Sequence, residues 1–179
     1  MYFLYLVISS LTILISPFIF IYRILKNKEN KKSFLEKLCL VKKKKKNKNL
    51  IWFHCASVGE ILSILPLIRN YEKNKKIGQI IITSSTLSSS KVFNNFRFKK
   101  TIHQFYPIDH PLFVNNFLNH WKPSIAIFVE SEIWPCMFKK IKDRGIPLIL
   151  LNARLTKKTF NRWFFIKNFS KSIFKNIKI

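Results

Sequence analysis

At 179 residues the chain has room for one domain with a proper core and too little for two. Lys and Arg outnumber Asp and Glu 33 to 8, for a formal net charge of +25. This charge is spread without a stripe, and no helix-turn-helix, RNP-type or zinc signature accompanies it, so a nucleic-acid partner is not expected. Cys39, Cys55 and Cys136 are odd in number, widely spaced and free of any CxxC pair, which argues against a disulfide framework or structural zinc and for a reducing compartment.

Residues 3–22, FLYLVISSLTILISPFIFIY, run without a charge for the roughly 20 residues that a ~30 Å hydrocarbon core requires. Residues 1–25 are therefore expected to form a membrane anchor. No Lys or Arg precedes the run, whereas residues 23–49 hold 12 basic and 2 acidic side chains, which places the bulk of the chain in the cytoplasm. A cleaved signal peptide would show a basic leader, a shorter apolar core and a small-residue cleavage site. The length suits a full span, and Pro17 leaves a kinked or in-plane insertion open as well.

Residues 26–49 are expected to be a polybasic linker, and two readings of its KKKKKNKN segment at 42–49 stand side by side. It suits a collar on anionic head groups, at about 1 kcal/mol per basic residue near the surface. It also suits the drift of an AT-rich genome, since the chain is rich in Lys, Asn, Ile and Phe and has only three glycines.

From residue 50 onward the pattern alternates. The β-branched or aromatic runs at 49–55, 79–85, 101–107, 124–130 and 146–152 read as five strands. Helical segments are expected at 60–72, 88–98, 111–121, 133–143 and about 157–175. Alternating strands and helices with nearly continuous apolar strands predict a parallel sheet covered on both faces, hence a Rossmann-like α/β domain over 50–179.

Ligands of such sheets bind outside the carboxyl ends of the strands. The polar residues expected there are Ser57 and Glu60, then 83–86, then Asp109, then Glu130 and Glu132, then Asn152 and Arg154. Four of the chain's eight acids fall in this set, a gathering that points to a site. His54 and Cys55 are neighbours on one strand, so their side chains face opposite ways and are expected to pack rather than to act as a base and nucleophile. Glu130 and Glu132 in VESEIWP resemble an acidic metal doublet, but no His lies near them and Glu132 also suits the first turn of a helix started by Pro135, so no metal is expected.

The segment ASVGE at 56–60 lacks both GxGxxG and GxxxxGK[ST]. It offers instead a tight strand-to-helix turn in which Gly59 permits close backbone approach and the N–H groups of 58–61 face an anion or oxygen. Glu60 would point into the crevice, where a carboxylate is suited to taking a proton from a substrate hydroxyl. The bland account of the same residue is a favourable acid at a helix start.

WFHCASVGE at 52–60 resembles the WxHAASVGE signature of the 3-deoxy-D-manno-octulosonic acid (Kdo) transferases. TSSTLSSSKV, YPIDHP, FVESEIWP and LLNARLT follow in the family's order, so five motifs over 50–160 carry the resemblance. It implies the N-terminal half of a GT-B glycosyltransferase anchored on the cytoplasmic face of the inner membrane. It also implies an inverting, metal-independent transfer of Kdo from CMP-Kdo to a lipid A precursor (lipid IVA), in lipopolysaccharide biosynthesis and without a cofactor. By motif, Glu60 corresponds to the proton acceptor and Glu130 to the transition-state stabiliser. Ser57, Gly59, Glu132 and Arg154 are expected to bind substrate, Arg154 being equally suited to a structural salt bridge.

Two departures are small: Cys55 stands where the family has Ala, and Ser89 stands in the place of a glycine. The larger departure is length, since the CMP-Kdo-binding domain of the family is not in the chain and a separately encoded half is an expected partner, alongside anionic inner-membrane lipids. The alternative expectation is a non-catalytic, membrane-bound acceptor-binding module or pseudoenzyme.

Overall fold

The computed structural model describes residues 2–40, 43–46, 49–130, 133–153, 156–157, 160–161, 164, 167–174 and 177–178. The five expected strands form as β1 (Leu50–His54), β2 (Gln79–Ser84), β3 (Thr101–Phe105), β4 (Ile125–Val129) and β5 (Leu148–Leu151), and a short β6 (Ile177–Lys178) adds a sixth that the sequence pattern did not announce. All pairings are parallel, in the order β3-β2-β1-β4-β5-β6. Two helices precede the sheet, α1 (Tyr2–Leu25) and α2 (Lys31–Lys37). Among the described residues the later helices are α3 (Val58–Lys73), α4 (Leu87–Asn94), α5 (Pro111–Trp121), α6 (Pro135–Asp143) and α7 (Lys167–Phe174), and part of the helix expected at about 157–175 lies outside the described residues.

The strands are apolar throughout because both faces are covered. Trp52, Ile81, Ala126 and Phe128 join a core with α5 and α6, while Phe53, Ile80, Ile82, Ile127 and Val129 join another with α3 and α4. This alternation follows from the two-residue period of a strand, and the order places the domain in the Rossmann-like class.

Helix ends depart from the sequence pattern for local reasons. α4 stops at Asn94 rather than 98: Phe96 N–H turns back to Phe93 O at 3.0 Å, and Phe98 stacks on Phe93 with ring centroids 5.7 Å apart. The aromatic residues that prolong the helical pattern thus pack in the turn. α6 begins at Pro135, the position where a missing N–H costs nothing. With so few glycines, Asn27, Cys39, Lys122, Glu130 and Asn152 take left-handed positions in addition to Gly145.

The segment expected as linker contains α2, which covers the open edge of the sheet. Glu36 is fully buried, accepts the outward Phe105 N–H at 2.9 Å and faces Lys43 at 3.6 Å, while Lys43 donates to His103 O. These two side chains occupy the hydrogen-bonding places of a neighbouring strand and so protect β3 from edge-to-edge pairing.

α1 holds an 18-residue window of mean hydropathy 2.3 and is long and apolar enough to cross a membrane. The hydroxyls of Ser9, Ser10, Thr12 and Ser16 all bond to carbonyls one turn back, at 2.7–3.0 Å, which removes their demand for water. The helix also lies along the domain: Tyr5 reaches Asp109, Ser10 reaches His110 at 3.3 Å, Phe20 packs on Phe34 at 4.5 Å, and Arg23 meets Glu29 at 3.2 Å.

Candidate active site

Strand order reverses between β1 and β4, so the chain leaves β1 for a helix on one face and leaves β4 for a helix on the other. The crevice at such a switch point is where a ligand fits an open parallel sheet. Glu60 follows β1, and Glu130 ends β4. β1 and β4 are paired up to His54 and Phe128, so the segments that carry Glu60 and Glu130 leave the sheet side by side. The two carboxylates named from the sequence therefore both follow the strands at the switch point.

Glu60 is the third residue of α3 and only 7% exposed. Ser57 is the N-cap: its Oγ accepts from Glu60 N–H at 3.2 Å and donates to Glu60 Oε1 at 2.8 Å. Ala56 N–H donates to Glu60 Oε2 at 2.8 Å. These bonds hold the carboxylate at the mouth of the helix, where the dipole favours negative charge. Each oxygen keeps acceptor capacity beyond its one bond. The bland and the chemical accounts of Glu60 thus describe one geometry.

Gly59 and Ser57 are exposed beside it. A Cβ on Gly59 would meet nothing closer than Ser57 Oγ at 3.9 Å, so packing within the domain does not require glycine there. The open space lies outside the chain, where a ligand would approach.

Glu130 is half-buried with φ +60, and its N–H donates to Leu151 O at 2.8 Å. A left-handed non-glycine residue costs about 1–2 kcal/mol, and such strain gathers at functional sites. Asn152 at the end of β5 repeats the geometry with φ +55. Glu132 and Arg154 lie outside the described residues.

His54 and Cys55 do pack on opposite faces. His54 lies among Tyr106, Phe128 and Trp134 with its Nδ1 3.0 Å from Thr83 Oγ1, while Cys55 is buried against α3. Burial, then the nearby Glu60, pushes the Cys55 thiol well above its ordinary range, so it is no thiolate nucleophile. Among the described residues, no three His, Cys, Asp or Glu side chains gather to hold a metal.

Residues 32–179 match the family model described as 3-deoxy-D-manno-octulosonic-acid transferase (Kdo transferase). The chain belongs to the Kdo transferase family. It is 38% identical over 173 residues to the 3-deoxy-D-manno-octulosonic acid transferase of Rickettsia bellii, covering 97% of this chain and 41% of that one. Against that of Rickettsia felis it is 42% identical over 129 residues, 72% of this chain and 28% of the relative. The counterpart from Haemophilus influenzae is 29% identical over 129 residues, 72% of this chain and 30% of the relative. The chain thus spans well under half the length of these curated relatives.

In this Kdo transferase family member the sequence reading missed the work of Asp109. It is 6% exposed and serves α6, accepting Met137 N–H at 2.8 Å and Cys136 N–H at 2.9 Å. Burial pushes its carboxyl above the ordinary range, opposed by these bonds and the one from Tyr5. The absence of a capping side chain at Trp134, just before Pro135, was the available signal that another residue must serve that helix.

Proposed function

We propose that the chain is the acceptor-side half of a glycosyltransferase that moves Kdo from CMP-Kdo to a lipid A precursor in lipopolysaccharide synthesis. The site works at the cytoplasmic face of the inner membrane, with α1 as anchor and the lysine-rich segment near anionic lipid head groups. The observation that supports this reading best is that Glu60 and Glu130 both follow the adjacent strands β1 and β4 at the switch point of the sheet. α1 is tied to the same sheet edge through Asp109, which follows β3.

In this reaction Glu60 takes the proton of the attacking acceptor hydroxyl, the 6'-hydroxyl of glucosamine, as it closes on the anomeric carbon. Glu130 stabilises the positive charge of an oxocarbenium-like transition state, and CMP leaves from the opposite face with inversion. No metal takes part. Ser57, Gly59, Glu132 and Arg154 contact substrate, and the donor is held by a second domain such as the longer relatives have room for.

Co-expression with the C-terminal half of a Rickettsia relative tests the reading. Transfer of Kdo to lipid IVA in membranes of those cells, lost in Glu60→Gln, is the expected result. Undiminished transfer in Glu60→Gln overturns the assignment of the base. Binding of lipid IVA with no transfer by any such pair favours the acceptor-binding module.

A further inference from the structure

Asp109 joins three segments that are distant in sequence. Its Oδ1 accepts Met137 N–H at 2.8 Å, and its Oδ2 accepts both Cys136 N–H at 2.9 Å and the Tyr5 hydroxyl of α1 at 2.5 Å. The first two donors are the free N–H groups at the start of α6, and Trp134, the N-cap, offers them no side-chain bond. Glu130, which precedes α6 in the chain, is held by its N–H bond to Leu151 O at 2.8 Å. Tyr2 adds to the same corner, its hydroxyl 3.8 Å from Cys136 Sγ.

A buried carboxylate is an expensive way to hold a helix end, since desolvation works against its charge. The Tyr5 hydroxyl shares Oδ2 with Cys136 N–H, so loss of either donor changes how the carboxylate serves the other. α1 exposes most of its remaining surface as apolar side chains, including Phe3, Leu4, Leu14 and Phe18.

The geometry points to Asp109 as a positioning residue, through which the seating of α1 against the domain sets the start of α6, the helix that follows Glu130 in the chain. The consequence for catalysis rests on the role proposed for Glu130, but the coupling itself needs no turnover to be observed. A plain tether would hold α1 in place and leave the α6 N–H groups unaffected by its loss.

Amide hydrogen exchange on the full chain, in vesicles of phosphatidylethanolamine and phosphatidylglycerol, decides between these. Tyr5→Phe removes one oxygen atom, and the Cys136 and Met137 amides are expected to exchange about tenfold faster, the scale of a lost hydrogen bond to a charged group, while the α3 amides keep their rates. Asp109→Asn speeds the same amides, and adding Tyr5→Phe to it changes them no further, because the coupled pair is already broken. Ser10→Ala, which removes a different contact between α1 and the domain, leaves them unchanged. Unaltered amides in Tyr5→Phe, an equal rise throughout α3, an equal rise in Ser10→Ala, or additive effects in the double variant each overturn the proposal. Should Asp109→Asn fail to fold, Tyr5→Phe and Ser10→Ala decide alone. Failure of Kdo transfer in the co-expression experiment would leave these rates untouched, so the two ideas fail separately.

Discussion

Ser57 and Glu60 hold each other reciprocally: the Ser57 hydroxyl donates to Glu60 Oε1 at 2.8 Å and accepts Glu60 N–H at 3.2 Å. A base held in this way is oriented before substrate arrives, and the same bonds stabilise the helix that carries it. Ser57→Ala is therefore expected to destabilise the domain by about 1 kcal/mol, the usual cost of an N-cap serine, in denaturant unfolding of the detergent-solubilised chain. In the co-expressed pair it is expected to lower transfer less than Glu60→Gln, for which about 10²- to 10⁴-fold is the ordinary range for a lost general base. Equal stability of Ser57→Ala and the parent would show that the Ser57 cap does not hold in solution.

Strain and chemistry can be separated at Glu130. Its φ of +60 and the φ of +43 at Lys122, which ends α5, are both left-handed. Lys122→Gly relieves that strain at an exposed helix end and is expected to raise stability by about 0.5–1 kcal/mol after the entropy of the freer unfolded chain is counted. Glu130→Gly should gain about as much stability and lose transfer in the assembled enzyme. Parallel melting and activity measurements read both signs. A destabilised Glu130→Gly would mean that the carboxylate serves the fold.

The sheet was legible in the sequence because strands buried on both faces must be apolar, and runs such as QIIITS admit few other readings. Glu60 and Glu130 were legible because the carboxyl ends of those strands could be located in advance, and acids are scarce in the chain. The sixth strand was not, since two residues at Ile177–Lys178 carry no period. Nor was α2, because its helical face is interrupted by the lysines that dominate 26–49, and the burial of Glu36 depends on β3, more than 60 residues away. Asp109 belonged to the set at the strand ends, but its partners lie on α1 and α6, a tertiary relationship that no local pattern encodes.

Glu36 gives a test of whether residues 26–49 belong to the folded domain. Glu36→Ala leaves Phe105 N–H without its acceptor and Lys43 without its carboxylate, which is expected to cost about 2–4 kcal/mol. Lys32→Ala, on the exposed side of the same helix, should stay within about 0.5 kcal/mol of the parent. If chemical denaturation finds the two variants equally stable, α2 is a passive linker and the edge of β3 is covered in some other way.

His103 makes stability depend on pH with a sign fixed by its surroundings. The ring is buried against Phe93 and Phe105, with Nε2 2.8 Å from Ser84 Oγ, and burial, followed by the charges of Lys43 and Lys32, pushes its pKa from 6.5 down to about 3. Between those values the unfolded chain takes up a proton that the folded chain refuses. Stability therefore falls as pH drops below 6.5, by at most about 1.4 kcal/mol per pH unit. Glu72 adds a loss of the same sign at lower pH: burial opposes its charge, but Thr101 Oγ1 and the N–H groups of Lys100 and Lys99 outweigh this and hold its carboxyl below the ordinary 4.5. Asp109, pushed upward by burial, contributes in the opposite direction, gaining stability as it takes up a proton. The His103 share is isolated by comparing the parent with His103→Gln, which keeps a hydrogen-bonding group near Ser84 and does not titrate. From about pH 7 to pH 5, the difference in unfolding free energy between the two is expected to shrink steadily as pH falls, because only the parent loses the His103 contribution. A pH-independent difference would show that His103 is protonated in the folded domain and that its pocket admits water.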